Sequence, residues 1–168
     1  MNHFVDAHIT GLDDLVNLWK RAPELTEREM HRGMQESTLL GERNVKAHTP
    51  VGASGAAGLM GSITSSAPQT VAGNVVGLVG TSLNHAVPVE LGTKPHFPPL
   101  LPIQEWVEAV LGITGERART VAFLIARKIS RKGTKGQFMF KKGLEDSQEQ
   151  FQEIFNKTIV RIRESLLP

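Results

Sequence analysis

Apolar side chains recur at helical spacing in five stretches of the chain and crowd at strand-like density in a sixth. The first stretch, Gly11 to Arg21, places Leu12, Leu15, Val16 and Trp19 on one face. Thr10 stands at its capping position with Asp13 three residues on. Pro23 is expected to interrupt, because proline lacks the amide donor a helix interior uses. A second helix is predicted from Thr26, where Thr26-Glu27-Arg28-Glu29 has the spacing of a capping box, to about His48. Its stripe of Met30, Met34, Thr38, Gly41 and Val45 is thin. Such a stripe predicts a helix lying over a sheet or against a neighbouring subunit, not one buried all round.

Residues 50–62 are small and glycine-rich and read as a flexible loop leading into a strand. Ile63 to Ser66 continues that strand, Ala67-Pro68-Gln69 makes the turn, and Val-rich Thr70 to Thr81 returns antiparallel. The resulting central hairpin covers about 57–81. Gly73, Gly77 and Gly80 inside it mark bends, bulges or close backbone approach. A short strand is predicted at about 86–91, and Pro95, Pro98, Pro99 and Pro102 then enforce an extended passage. Helices follow at Ile103 to Leu111 (Trp106, Val107, Val110 and Leu111 apolar) and at Glu116 to Ser130 (Ala118, Val121, Ala122, Ile125 and Ile129 in register). After a basic loop at 131–136, Leu144 to Leu167 forms the last helix, with Phe151, Ile154, Phe155, Thr158, Ile162 and Leu166 in line. This order of elements predicts one α+β domain over 1–168. Its antiparallel sheet is packed by N- and C-terminal helices, and a helical insert lies at about 97–131.

Composition narrows the chemistry. At 168 residues and 18.4 kDa the chain has the length for a core that needs no staple. The absence of cysteine removes disulfides, thiolate metal sites and cysteine nucleophiles. No apolar run approaches the ~20 residues needed to span a bilayer, and Met1 to Asp6 lacks the layout of a signal peptide. The expectation is a soluble protein that stays in the cell where it is made, with no membrane partner. Charge is unevenly spread. Nine of the 19 Lys and Arg lie between Arg117 and Lys142, and none of the 17 Asp and Glu do, which leaves 10 basic against 17 acidic residues elsewhere. A bipolar chain of this kind is expected to meet an oppositely charged protein surface or a polyanion.

No catalytic constellation emerges. Among His3, His8, His31, His48, His85 and His96 no pair has the i, i+4 spacing of a helical metal site. The Gly52–Gly61 stretch lacks the Gly-Lys-Ser/Thr of a phosphate cradle, and Ser54 and Ser62 have no base in view. Asp13-Asp14 and Glu145-Asp146 sit at expected helix starts, where the helix dipole accounts for them. No enzyme activity, cofactor or metal is therefore expected. The basic stretch has two readings. Arg127, Lys128, Arg131, Lys132, Lys135, Lys141 and Lys142 contact DNA phosphates or a partner's acidic ring, or Arg117, Arg119, Arg127 and Lys128 are one helix's solvated face. Only Phe123, Phe138 and Phe140 interleave with these cations, which disfavours a single-strand stacking surface.

Four segments in order resemble the small tail-completion, or neck, proteins of long-tailed double-stranded-DNA phages. Thr49-Pro50-Val51 and a glycine-rich loop ending Leu59-Met60-Gly61-Ser62-Ile63 come first, then a Val-rich strand ending Val79-Gly80-Thr81. The most distinctive is His85-Ala86-Val87-Pro88-Val89-Glu90-Leu91-Gly92-Thr93, similar to the family's Tyr-Ala-x-x-Val-Glu-x-Gly-Thr. Lys132-Gly133-Thr134-Lys135-Gly136-Gln137-Phe138-Met139-Phe140 then leads to Leu144, as in the family's entry to the last helix. Here His85 replaces the usual Tyr, Pro88 intrudes, Lys142-Gly143 stands for Pro-Ala, and the 97–131 insert is longer than in the shortest members. The resemblance marks Pro50, Ser62, Ala86, Glu90, Gly92, Thr93, Gly133, Thr134 and Phe138 as structural positions.

The resemblance implies a structural virion protein of the neck or upper tail, assembled in the host cytoplasm. It would act as a homo-oligomeric, six-fold ring around the DNA channel, between the connector or stopper and the tail tube. Contact with packaged duplex DNA is a further implied partner, and there are no catalytic residues to transfer. A ring needs two different complementary faces per subunit, which a bipolar charge distribution offers. The Gly52–Gly58 loop either orders on docking to a neighbour or stays solvated, and Glu90 either pairs with Lys94 or accepts hydrogen bonds from turn amides. The competing reading is a nucleic-acid-binding protein that uses the basic 117–142 segment.

Overall fold

The computed structural model describes residues 12–55 and 57–166. Thr10, His3, His8, Ala56 and Leu167 lie outside that part, as do the side chains of Leu12, Leu15 and Trp19. The spine is α1, Leu12–His48, 37 residues and ~55 Å long. Pro23 lies inside it and does not interrupt it. The proline is exposed, so the carbonyl it frees can face water, and the helix formers around it offset a cost of about 3 kcal/mol. Thr26-Glu27-Arg28-Glu29 is consequently mid-helix, and Glu29 is turned inward instead of capping.

The glycine-rich stretch makes a tight turn closed by a Gly52–Gly55 bridge, then one helical turn, α2 (Leu59–Ser62), where a strand was expected. The antiparallel hairpin is present but divided. β1 (Thr64–Ser65) pairs with β4 (Val79–Gly80), and Ser66 and Leu78 extend the pairing through mutual hydrogen bonds. β2 (Gln69–Val71) and β3 (Asn74–Val76) form the tip. The reversal falls at Ala72-Gly73, both with positive φ (49° and 80°), and not at residues 67–69. This is the backbone a two-residue hairpin turn requires, and an alanine in the left-handed region disguises it in the sequence. Gly77 is a close approach as expected: a side chain there would strike Thr38 and Met34 of α1.

Ala86–Leu91 is a helix, α3, and not the expected strand. Pro88 sits in its first turn, where the missing amide has no intrahelical use, and Gly92 ends the helix at φ 81°. β5 (Gly92–Thr93) then pairs antiparallel with β6 (Thr134–Lys135), inside what read as a basic loop. Between these two strands run α4 (Leu100–Leu111) and α5 (Gly115–Lys132), packed on each other as the helical insert. Val107, Ala118, Ala122 and Ala126 are buried between them, and the alanines permit close approach. The expected single C-terminal helix is two, α6 (Met139–Glu145) and α7 (Gln148–Leu166), broken at Asp146-Ser147. Glu145-Asp146 thus ends a helix instead of starting one.

Both α6 and α7 pack along α1. The crossings sit where side chains are absent: Gly143 of α6 against the Val45 backbone, and Gly33 of α1 against Thr158 of α7. A small core of Leu59, Ala86 and Met139, flanked by Leu83, Val89 and Phe140, joins α2, α3 and α6. The result is α+β, 66% helical, with three two-stranded antiparallel ladders among the described residues in place of one sheet.

Candidate functional site: a glycine clasp and a basic helix face

The segments ending at Thr93 and starting at Gly133 are 40 residues apart in sequence and meet in a backbone clasp. Thr93 and Thr134 are paired across the β5–β6 ladder, and their hydroxyls lie 3.0 Å apart. The amides of Gln137 and Phe138 donate to the carbonyls of Val89 and Glu90 at 2.8 and 3.1 Å. Gly92 and Gly133, at φ 81° and 67°, adopt backbone that disfavours any side chain, and an added Cβ would collide with the opposing strand at either position.

Glu90 completes the clasp. Its carboxylate accepts from the Phe140 amide at 3.0 Å and the Lys141 amide at 3.2 Å, the first turn of α6. The expected partners are Lys94 or turn amides; the amides used belong instead to a helix start 50 residues on. The pairing satisfies donors that a helix start leaves free and places negative charge at the positive end of the peptide dipoles. Phe138, just before α6, takes the left-handed conformation at φ 55°. The sequence-predicted positions Glu90, Gly92, Thr93, Gly133, Thr134 and Phe138 are therefore brought together. Ala86 adjoins them through the core it shares with Met139. Ser62 and Pro50 stand apart. Ser62 donates to the Leu59 carbonyl and lies 2.6 Å from the Thr81 hydroxyl. Exposed Pro50 lines a cleft with His85, Val89 and Trp106.

The cations divide by element. Arg127, Lys128, Arg131 and Lys132 are exposed on α5, Lys135 is exposed on β6, and Lys141 and Lys142 are exposed on α6. Lys141 lies 3.8 Å from Glu145, and none of the other six pairs with a carboxylate among the described residues.

The chain matches no protein-family model, no curated protein and no solved structure.

Two polar hubs escaped the sequence reading. Glu42 of α1 accepts from the amide and the hydroxyl of Ser65, both at 2.7 Å, and from Lys46 at 2.6 Å. The Lys46 ammonium, helped by Ser65, holds its carboxyl below the usual range even though partial burial acts the other way. Glu42 thereby pins β1 to the spine. Arg161 of α7 donates to Glu36 of α1 at 3.1 Å, tying the two helices, and to Thr158 of its own helix at 3.0 Å; its Nε lies 3.3 Å from buried Glu29 without a hydrogen bond to it. The pairs that join elements are 23 or more residues apart in sequence, and spacing along a single chain carries no signal for them; Glu42 and Lys46, four apart on one helix, are the local signal. No group of three or more His, Asp or Glu is placed to hold a metal among the described residues. Among the same residues no helix is long and apolar enough to cross a membrane.

Proposed function

We propose that this chain is a structural subunit of a phage neck or upper tail, joining or terminating the tail as a homo-oligomeric ring. The observation that carries the reading is how little of the chain's surface it covers by itself. Its accessible area is 12180 Å², against ~8,200 Å² for a compact monomer of this mass. A fully extended chain as long as the 14 residues outside the described part accounts for ~2,200 Å² of the difference by its own area. Large apolar side chains make up part of what remains, with Leu78, Leu91 and Leu101 each 66% exposed. Such a surface calls for neighbours, and a ring supplies the same two neighbours to every copy.

The clasp supports the reading from another side. Two of the four segments that resemble the neck family are structurally one feature, held by backbone and by an acid whose oxygens are engaged, which suits a load path better than a reactive centre. Mass measurement on the purified chain tests the proposal. The expected result is a closed oligomer, six-fold by the resemblance, or incorporation into tail-joining-defective particles with recovery of infectivity. A strictly monomeric protein that restores no joining refutes it.

A further inference from the structure

We infer that one face of α5 is a docking stripe for duplex nucleic acid, made by Arg117, Arg127, Lys128 and Arg131. At 100° per residue these four side chains, with Thr120 and Leu124 between them, project from the same side of the helix. All six are exposed. The opposite side, Ala118, Ala122 and Ala126, is buried in the helical insert. The stripe runs ~21 Å along the axis, a length of duplex that carries about 12 phosphates. None of the four cations is paired with a carboxylate of another described residue. The single acid of the helix, Glu116, stands in its first turn. The structure thus narrows a 26-residue basic segment to one linear array, adds Arg117 to it and leaves out Lys141 and Lys142.

Three observations select the partner. The stripe holds no aromatic side chain, so it is no stacking platform for single strands. The alanine side of α5 is used against α4, which leaves Phe123 (46% exposed) and Leu124 (54% exposed) as its exposed large apolar side chains, too narrow a strip to enter a lipid surface. A second copy is a poorer acceptor, because its exposed carboxylates outside the ion pairs among the described residues, Glu24, Glu105, Glu116, Glu149 and Glu164, are divided among α1, α4, α5 and α7 and offer no single row to match the stripe. A polyanion of regular charge spacing is what remains.

The inference does not depend on the ring: a monomer that binds duplex as described keeps this reading and loses the other. The test is fluorescence anisotropy of the full chain on an arbitrary 30-base-pair duplex between 50 and 200 mM salt. Four phosphate contacts predict roughly a 150-fold loss of affinity over that range. The surface variant R117Q/R127Q/K128Q/R131Q is expected to lower the log–log salt slope by about 3.6, and R127Q alone by about 0.9. K141Q/K142Q is expected to leave it unchanged. No binding at 50 mM, an unaltered slope in the quadruple variant, or tighter binding to a single strand of the same length overturns the assignment. So does a quadruple variant that loses self-association while keeping duplex binding.

Discussion

Gly143→Ala is a substitution for which sequence and structure predict opposite signs. Gly143 lies inside α6 with ordinary helical backbone, so propensity alone promises a gain of about 1 kcal/mol. In the fold, a Cβ at this position stands 2.6 Å from the Val45 amide nitrogen and 2.7 Å from its Cα, where ordinary contact begins at 3.4 Å. Backbone cannot rotate aside as a side chain can, so α6 must retreat from α1 by the difference, about 0.8 Å. That displacement costs about 1–3 kcal/mol as overpacking. It also strains the 2.9 Å bond from the Asn44 side chain to fully buried Ser147, worth about 1 kcal/mol. After the propensity gain is subtracted, the net expectation is about 2 kcal/mol of destabilisation, a fall of about 4–8 °C in melting temperature. Gly41→Ala is the matched control. It is also helical and also faces neighbours, but its Cβ would sit 3.5 Å from Phe151 and 3.6 Å from Val79, ordinary contacts. It is expected to stabilise by about 0.5–1 kcal/mol. Urea denaturation of the two variants beside the parent decides the matter. A Gly143→Ala protein as stable as the parent, or more so, refutes the argument that α1 and α6 touch backbone to backbone.

Glu90→Ala should cost about 1–2 kcal/mol by removing the acceptor for two amides at the start of α6, and Glu90→Gln about half of that, read from urea midpoints. Equal stability of all three proteins would show that the clasp does not need the acid. The lowered Glu42 carboxyl sets a pH dependence. A group depressed by folding contributes fully above its unfolded value near 4.3 and loses that contribution as pH falls through its lower folded value. The stability difference between the parent and Glu42→Gln should therefore be constant from about pH 7 to 5 and shrink below that range. Parallel curves down to pH 3 would contradict it.

What the sequence made legible was local. The α4–α5 pair was readable because Val107, Ala118 and Ala122 stand in the helical period and are buried, although Val110 and Leu111, read with them, are exposed and buried Ala126 was not among the positions read. The glycines of the hairpin were readable as bends, bulges or close approaches, and the fold decides which: Gly73 takes the turn and Gly77 the close approach to α1. The misreadings share one cause, a neighbour winning over a local preference. Val87 and Val89 favour a strand, but Glu90 accepts from the amides of Phe140 and Lys141 at 3.0 and 3.2 Å, and α3 delivers it there. Pro23 opposes a helix, but one residue in 37 does not outweigh the rest. The break at Ser147 carries no signal in the spacing; there the side chain donates back to the Gly143 carbonyl and accepts from Asn44 on another helix. The candidate site followed the same rule. Its glycines and its acid were singled out, whereas their meeting in one clasp required the fold.

The β5–β6 ladder has a consequence for how such a chain changes over generations. The helical pair between Thr93 and Thr134 departs and returns at paired positions, about 5 Å apart. A segment whose two ends nearly touch behaves as a cassette. It can be lengthened, shortened, exchanged or lost while the spine and its terminal helices keep their threading. Selection on whatever those two helices grip is in that way uncoupled from selection on the frame that holds them.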